Sequence, residues 1–118
     1  LTLDGTNGVT FDSSYVYGFE YGAGTVSNAG VTLNTMTGKI TSDSNSLVSA
    51  TASQTITLTN SRIATTSMVF VNAKTTCANG FIVVISATPG SGSASIIVYN
   101  AGSNACTGAY ILSFVVVN

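Results

Sequence analysis

The sequence predicts an all-β fold: an antiparallel β-sandwich, jelly-roll-like, of about eight strands, with an extended N-terminal arm. Three observations carry that expectation. Apolar residues alternate with Thr and Ser through short segments, each segment is closed by small polar turn formers, and β-branched residues dominate with no sustained 3.6-residue period. A chain of 118 residues holds one domain with a real core and is too short for two comfortable ones.

The elements follow in chain order. Residues 1–37 are assigned to the arm and 38–118 to the sandwich. In LTLDGTNGVTFD, two short extended pieces, Leu1–Leu3 and Val9–Phe11, flank Asp4-Gly5 and Asn7-Gly8, dipeptides that accept the positive φ of tight turns. Next, SSYVYGFEYGAG places Tyr15, Tyr17, Phe19 and Tyr21 on every second residue, so a strand there presents four rings on one face. They could form a platform for stacking a sugar or a partner. The favoured reading is an edge strand laid on the core or on a neighbouring subunit, because tyrosines suit protein interfaces. Glu20 stands among these rings and is read as a solvated or hydrogen-bonded surface carboxylate.

Val31–Leu33 and Lys39–Thr41 are expected as short strands, and Asp43–Ala52, polar and Ser-rich, as a loop. The stretch Ser53–Ile63, SQTITLTNSRI, is the clearest strand of the chain: Ile56 and Leu58 alternate with Thr55, Thr57 and Thr59, and Asn60-Ser61 supplies the turn. Four apolar runs follow on the same plan, Met68–Ala73, Phe81–Ala87, Ala94–Tyr99 and Tyr110–Val117. Phe81–Ile85 and Phe114–Val117 lack clean alternation, which predicts strands covered on both faces, inside a sandwich or by another subunit. Pro89-Gly90 is read as the turn between two of these strands.

Composition narrows the function. Charged residues are 6% of the chain, against roughly 25% in ordinary soluble domains, and Thr, Ser, Asn and Gly carry the polarity. The cations Lys39, Arg62 and Lys74, at a net charge of -1, cannot build the basic stripe that neutralises phosphates, so no nucleic-acid partner is expected. Apolar runs of about seven residues fall well short of the roughly 20 that span a bilayer as a helix, so no membrane insertion is expected. A positive mean hydropathy with near-zero net charge points to a surface partly covered by copies of the chain or by a larger assembly, the alternative being that abundant Thr and Ser hydrate the exposed strand faces. The chain begins at Leu1 without a signal-peptide pattern and is expected to be a processed product or part of something longer.

Catalytic chemistry finds few candidates. Without histidine the chain lacks the commonest general base, and its carboxylates, Asp4, Asp12, Glu20 and Asp43, all lie toward the N-terminal end. Neither an enzymatic activity nor a cofactor is expected, and the metal and catalytic sets are empty; Asp4 as a calcium ligand would be one carboxylate where several are needed. Cys77 and Cys106 sit in matching contexts, TCANG and ACTG, each in the loop before a strand. Equivalent loops at one end of a sandwich could bring them together as a disulfide, which would favour an extracellular setting; the alternative is two free thiols.

From Gly38 onward the order of elements is GKITS, a Ser/Ala-rich linker, TITLTNSRI, SMVFVNA, PGSGSASIIVYNA and AYILSFVVV. This order resembles a β-sandwich module at the C-terminal ends of bacteriophage tail-fibre and other virion-surface proteins, and LTLDGTNGVTF resembles the strand-and-turn units that precede such modules. The resemblance implies a homotrimeric virion appendage at the virion surface, a tail-fibre or tail-tip host-attachment domain. Its partners would be itself, other virion proteins and a host surface receptor. A capsid decoration protein is the close alternative, followed by an extracellular filament subunit assembled by strand exchange and, last, a carbohydrate-active enzyme. The absence of any Asn-x-Ser/Thr acceptor suits a bacterial or phage origin. The resemblance carries no list of functional residues, and the cysteine pair and the Tyr15–Tyr21 segment have no counterpart in it.

Overall fold

The computed structural model describes residues 2–4, 8–10, 20–43 and 53–118, and all regular structure among them is β. Ten strands occur among the described residues: β1 Thr2–Asp4, β2 Gly8–Thr10, β3 Tyr21–Thr25, β4 Gly30–Thr32, β5 Thr37–Thr41, β6 Ser53–Thr59, β7 Met68–Thr75, β8 Ile82–Gly90, β9 Ser93–Asn100 and β10 Ile111–Val117. β1 and β2 form an antiparallel hairpin of their own, with Leu3 opposite Val9. The other eight make two four-stranded sheets, β3-β5-β10-β7 and β4-β6-β9-β8.

The chain changes sheet at every connection from β3 to β10 except the β8–β9 hairpin. That route explains the main departure from an antiparallel, jelly-roll-like order. β3 and β5 are parallel neighbours, as are β4 and β6, because each pair is joined by a crossover through the opposite sheet. Both sheets are therefore mixed, a property of the connections that strand periodicity does not encode. The expected boundary between arm and sandwich at 37/38 also moves, since β3 and β4 are edge strands of the two sheets and the sandwich includes residues from Tyr21 onward.

Alternation places the core. Ile56 and Leu58 of β6, Ala94, Ile96 and Val98 of β9, and Leu112, Phe114 and Val116 of β10 turn inward and are buried, while Thr55, Thr57 and Thr59 stay exposed. Each fully buried aliphatic or aromatic side chain contributes roughly 1.5–3 kcal/mol relative to exposure, so this inner layer is the main source of stability. One close approach is decided by a missing side chain. Gly38 of β5 lies opposite Phe114, whose ring covers it; a Cβ there would stand 2.6 Å from Phe114 Cε1 and 2.6 Å from the carbonyl oxygen of Gly22.

Two buried asparagines fix the ends of the sandwich. Asn60, just after β6, donates from Nδ2 to the carbonyl of Thr35 (2.7 Å) and accepts from the Arg62 amide (2.9 Å), tying the loop before β5 to the loop before β7. Asn100, at the end of β9, accepts at Oδ1 from the amides of Phe81 (3.1 Å) and Gly102 (3.0 Å) and donates to the carbonyl of Asn104 (2.9 Å). Buried backbone groups in these loops would otherwise lack partners at a cost of about 1–3 kcal/mol each.

The turn expected at Pro89-Gly90 lies two residues further on. Both residues belong to β8, and the hairpin turns at Ser91-Gly92, where Gly92 has φ 73°. β8 is an edge strand, the place in a sheet where a proline lacking its N–H is tolerated.

Candidate functional site

The most distinctive surface is apolar. In β10 the inward set leaves Ser113, Val115 and Val117 pointing out, and in β7 the packing of Val69, Val71 and Ala73 against the core leaves Met68, Phe70 and Asn72 pointing out. Register then aligns them: Val115 lies opposite Phe70 and Val117 opposite Met68. The same row continues across β5 at Thr37 to Tyr21 of β3. Tyr21 is 65% exposed, Phe70 59% and Met68 56%. With about 150–250 Å² for a whole aromatic side chain, this outer face of the first sheet leaves on the order of 400 Å² of apolar surface in water, the size of the largest, often functional, patch on a typical protein.

A second apolar patch lies on the outer face of the second sheet. Val83 and Ile85 of β8 point outward beside half-buried Ile97 and Tyr99 of β9, and Phe81 precedes them in the loop; Phe81 and Ile85 are each 58% exposed. Ile85 projects there by the strand's own alternation, and the bulge at this point, with Val84 paired to Val98 and Ser86 to Ile97, shifts the parity so that Ala87 packs on the core.

The two patches flank one edge of the molecule. β7 and β8 are the edge strands of their sheets on the same side and border a groove of about 430 Å³, lined by Val71, Ala73, Ile82 and Val84, with Thr76 and Phe81 at one end. On the opposite side β3 and β4 meet.

At the end of the sandwich beside Phe81, a disulfide joins Cys77 to Cys106, with Cα atoms 5.4 Å apart and both residues buried. The bridged loops also exchange backbone hydrogen bonds between Ala78 and Thr107, at 3.0 and 2.9 Å. Gly80 fits beneath them, where a Cβ would stand 2.7 Å from Cys77 Sγ. Bridge, backbone pair and Asn100 hold one polar end in a fixed shape, and Ser103, Asn104 and Thr107 are exposed on it.

The remaining sequence candidates divide as follows. Tyr21 is described, outward and exposed, whereas Tyr15, Tyr17 and Phe19 lie outside the described residues, as does Asp12. Glu20 has a structural partner: Arg62 donates to its carboxylate through Nε (3.0 Å) and Nη2 (2.6 Å), and its backbone carbonyl accepts from the Thr37 amide. With both side chains about half exposed, the pair contributes at most about 1 kcal/mol and serves mainly to hold the chain where it enters β3. Phe81–Ile85 and Phe114–Val117, expected to be covered on both faces inside a sandwich or by another subunit, are buried on one face by the core, while on the other Val83, Ile85, Val115 and Val117 stay 36–58% exposed. Sequence reading overlooked Met68 and Phe70 because Met68–Ala73 looked like an ordinary core run; the signal available was a ring on the parity opposite to Val69 and Val71.

Compared with protein-family models, with curated proteins and with solved structures, the chain matches none.

Proposed function

We propose that this chain is a non-enzymatic structural domain of a bacteriophage virion, a homotrimeric tail-fibre or tail-tip module that works at the virion surface through contacts with its own copies, other virion proteins and a host receptor. The observation that supports it is the pair of exposed apolar faces on a sandwich with very little charge. Such faces are costly in water and gain most when covered by protein. The virion setting rests on the strand-and-turn order from Gly38 onward and on the LTLDGTNGVTF opening. In this reading the disulfide-bonded end is the rigid polar tip offered to a receptor, since a loop already ordered loses little entropy on binding.

A filament subunit is the second reading, favoured by the unpaired outer edges of β7 and β8 beside an apolar groove, which an added strand could extend. Light scattering of the native protein, with and without reductant, separates the two. A trimer that persists in reductant is the expected result. A monomer or an open-ended polymer refutes the trimeric module.

A further inference from the structure

We infer that the occupant of both apolar patches is a second copy of this chain, and that they pair with each other: Met68, Phe70 and Val115 of one copy against Phe81, Val83 and Ile85 of the next. The inference rests on the trimeric reading and specifies its interface.

The argument is one of symmetry, position and area. A closed ring of three uses a heterologous contact, in which each copy offers two different surfaces. The sandwich has two such surfaces, on the outer faces of its two sheets. Both border the single edge where β7 and β8 adjoin. In the trimeric reading that edge lies at the common axis, with the first patch of each copy against the second patch of its neighbour. The groove between β7 and β8 would then face the axis, and the edges of both strands would be hidden from other chains.

Area agrees. Without Tyr21, which lies on the opposite edge strand β3, the first patch exposes roughly 300 Å² of apolar surface and the second about as much, together some two thirds of the roughly 900 Å² of apolar area in a standard interface of about 1,600 Å². Lys39 on β5 and Lys74 near the end of β7 stand at the margin of the first flank, where charges belong in an interface rim.

Phe70→Asp and Ile85→Asp test the pairing. Each side chain is exposed, and circular dichroism together with a thermal melt verifies that each variant folds; Phe70→Ser and Ile85→Ser replace any that does not. Masses are read by light scattering for each variant alone and for an equimolar mixture. With wild type trimeric, each variant alone is expected to be a monomer. The mixture is expected to give a dimer of one copy of each, because Phe70→Asp keeps the second patch and Ile85→Asp keeps the first. A folded variant that remains trimeric, or a mixture that remains monomeric, overturns this pairing and leaves the trimeric reading standing. A wild-type monomer overturns both. A wild-type polymer that either variant dissolves overturns the three-fold closure.

Discussion

Gly38 offers a sharp test of how the two sheets are packed. Adding one methyl group as Gly38→Ala puts a Cβ 2.6 Å from Phe114 Cε1, 2.9 Å from Phe114 Cζ and 2.6 Å from the Gly22 carbonyl oxygen. Ordinary carbon contacts lie at about 3.5–4.0 Å, so the shortfall is about 1 Å on two sides. Phe114 is only 1% exposed, within the buried core, and Gly22 pairs with Gly38 where β3 runs alongside β5. Relief requires splaying a sheet or forcing a ring off its rotamer, which costs about 2–3 kcal/mol. For a domain of this size the melting temperature falls by roughly 4 °C per kcal/mol, so a drop of about 8–12 °C is expected. Gly30→Ala is the matched control: its Cβ would meet nothing closer than 3.7 Å and its φ is not positive, so a change within about 2 °C is expected. Both are read from melts at one fixed protein concentration, because assembly makes the midpoint concentration-dependent. Equal shifts for the two variants would refute the collision with Phe114, leaving only the general effect of replacing glycine in a strand.

Replacing both Cys77 and Cys106 by Ala opens a loop of 29 residues. The chain-entropy model puts the loss at about 3.5 kcal/mol, seen as a midpoint lowered by about 14 °C with an unchanged far-ultraviolet spectrum. Asn100→Ala leaves the amides of Phe81 and Gly102 and the carbonyl of Asn104 without their partner and is expected to cost about 3 kcal/mol in denaturant melts, whereas Asn104→Ala, which keeps its backbone carbonyl, costs under about 0.5 kcal/mol.

What the sequence disclosed depended on whether the cause was local. Ile56 and Leu58 set among threonines mark β6 because a strand's inward and outward positions are written in its own residues. Cys77 and Cys106 could be considered together because each occupies the loop before a strand, and in the structure those loops share one end. The parallel pairs β3–β5 and β4–β6 were out of reach, since neither strand's composition records which sheet the intervening strand joins. Pro89-Gly90 misled because a strong turn dipeptide was stretched into an edge strand, where the proline also discourages pairing with another chain. The exposed patches were half legible. Broken alternation at Phe81–Ile85 and Phe114–Val117 signalled cover on both faces, inside a sandwich or by another subunit, and the core covers one while the other stays partly exposed. Glu20 and Arg62 are far apart in sequence, so only the folded chain shows their pairing.

The place of β10 has a consequence for how the domain is made. Ile111–Val117 runs down the middle of the first sheet, hydrogen-bonded to β5 on one side and β7 on the other. Until the ribosome has delivered that segment, β5 and β7 have no neighbour in common, and Leu112, Phe114 and Val116 are missing from between the sheets. Of the eight sandwich strands, only β8 and β9 are joined within one sheet, by a two-residue turn, and can pair early. The second sheet has all four of its strands once β9 is made, whereas the first stays divided into the β3–β5 pair and β7 until β10 joins them, so the sandwich closes only when Ile111–Val117 is in place.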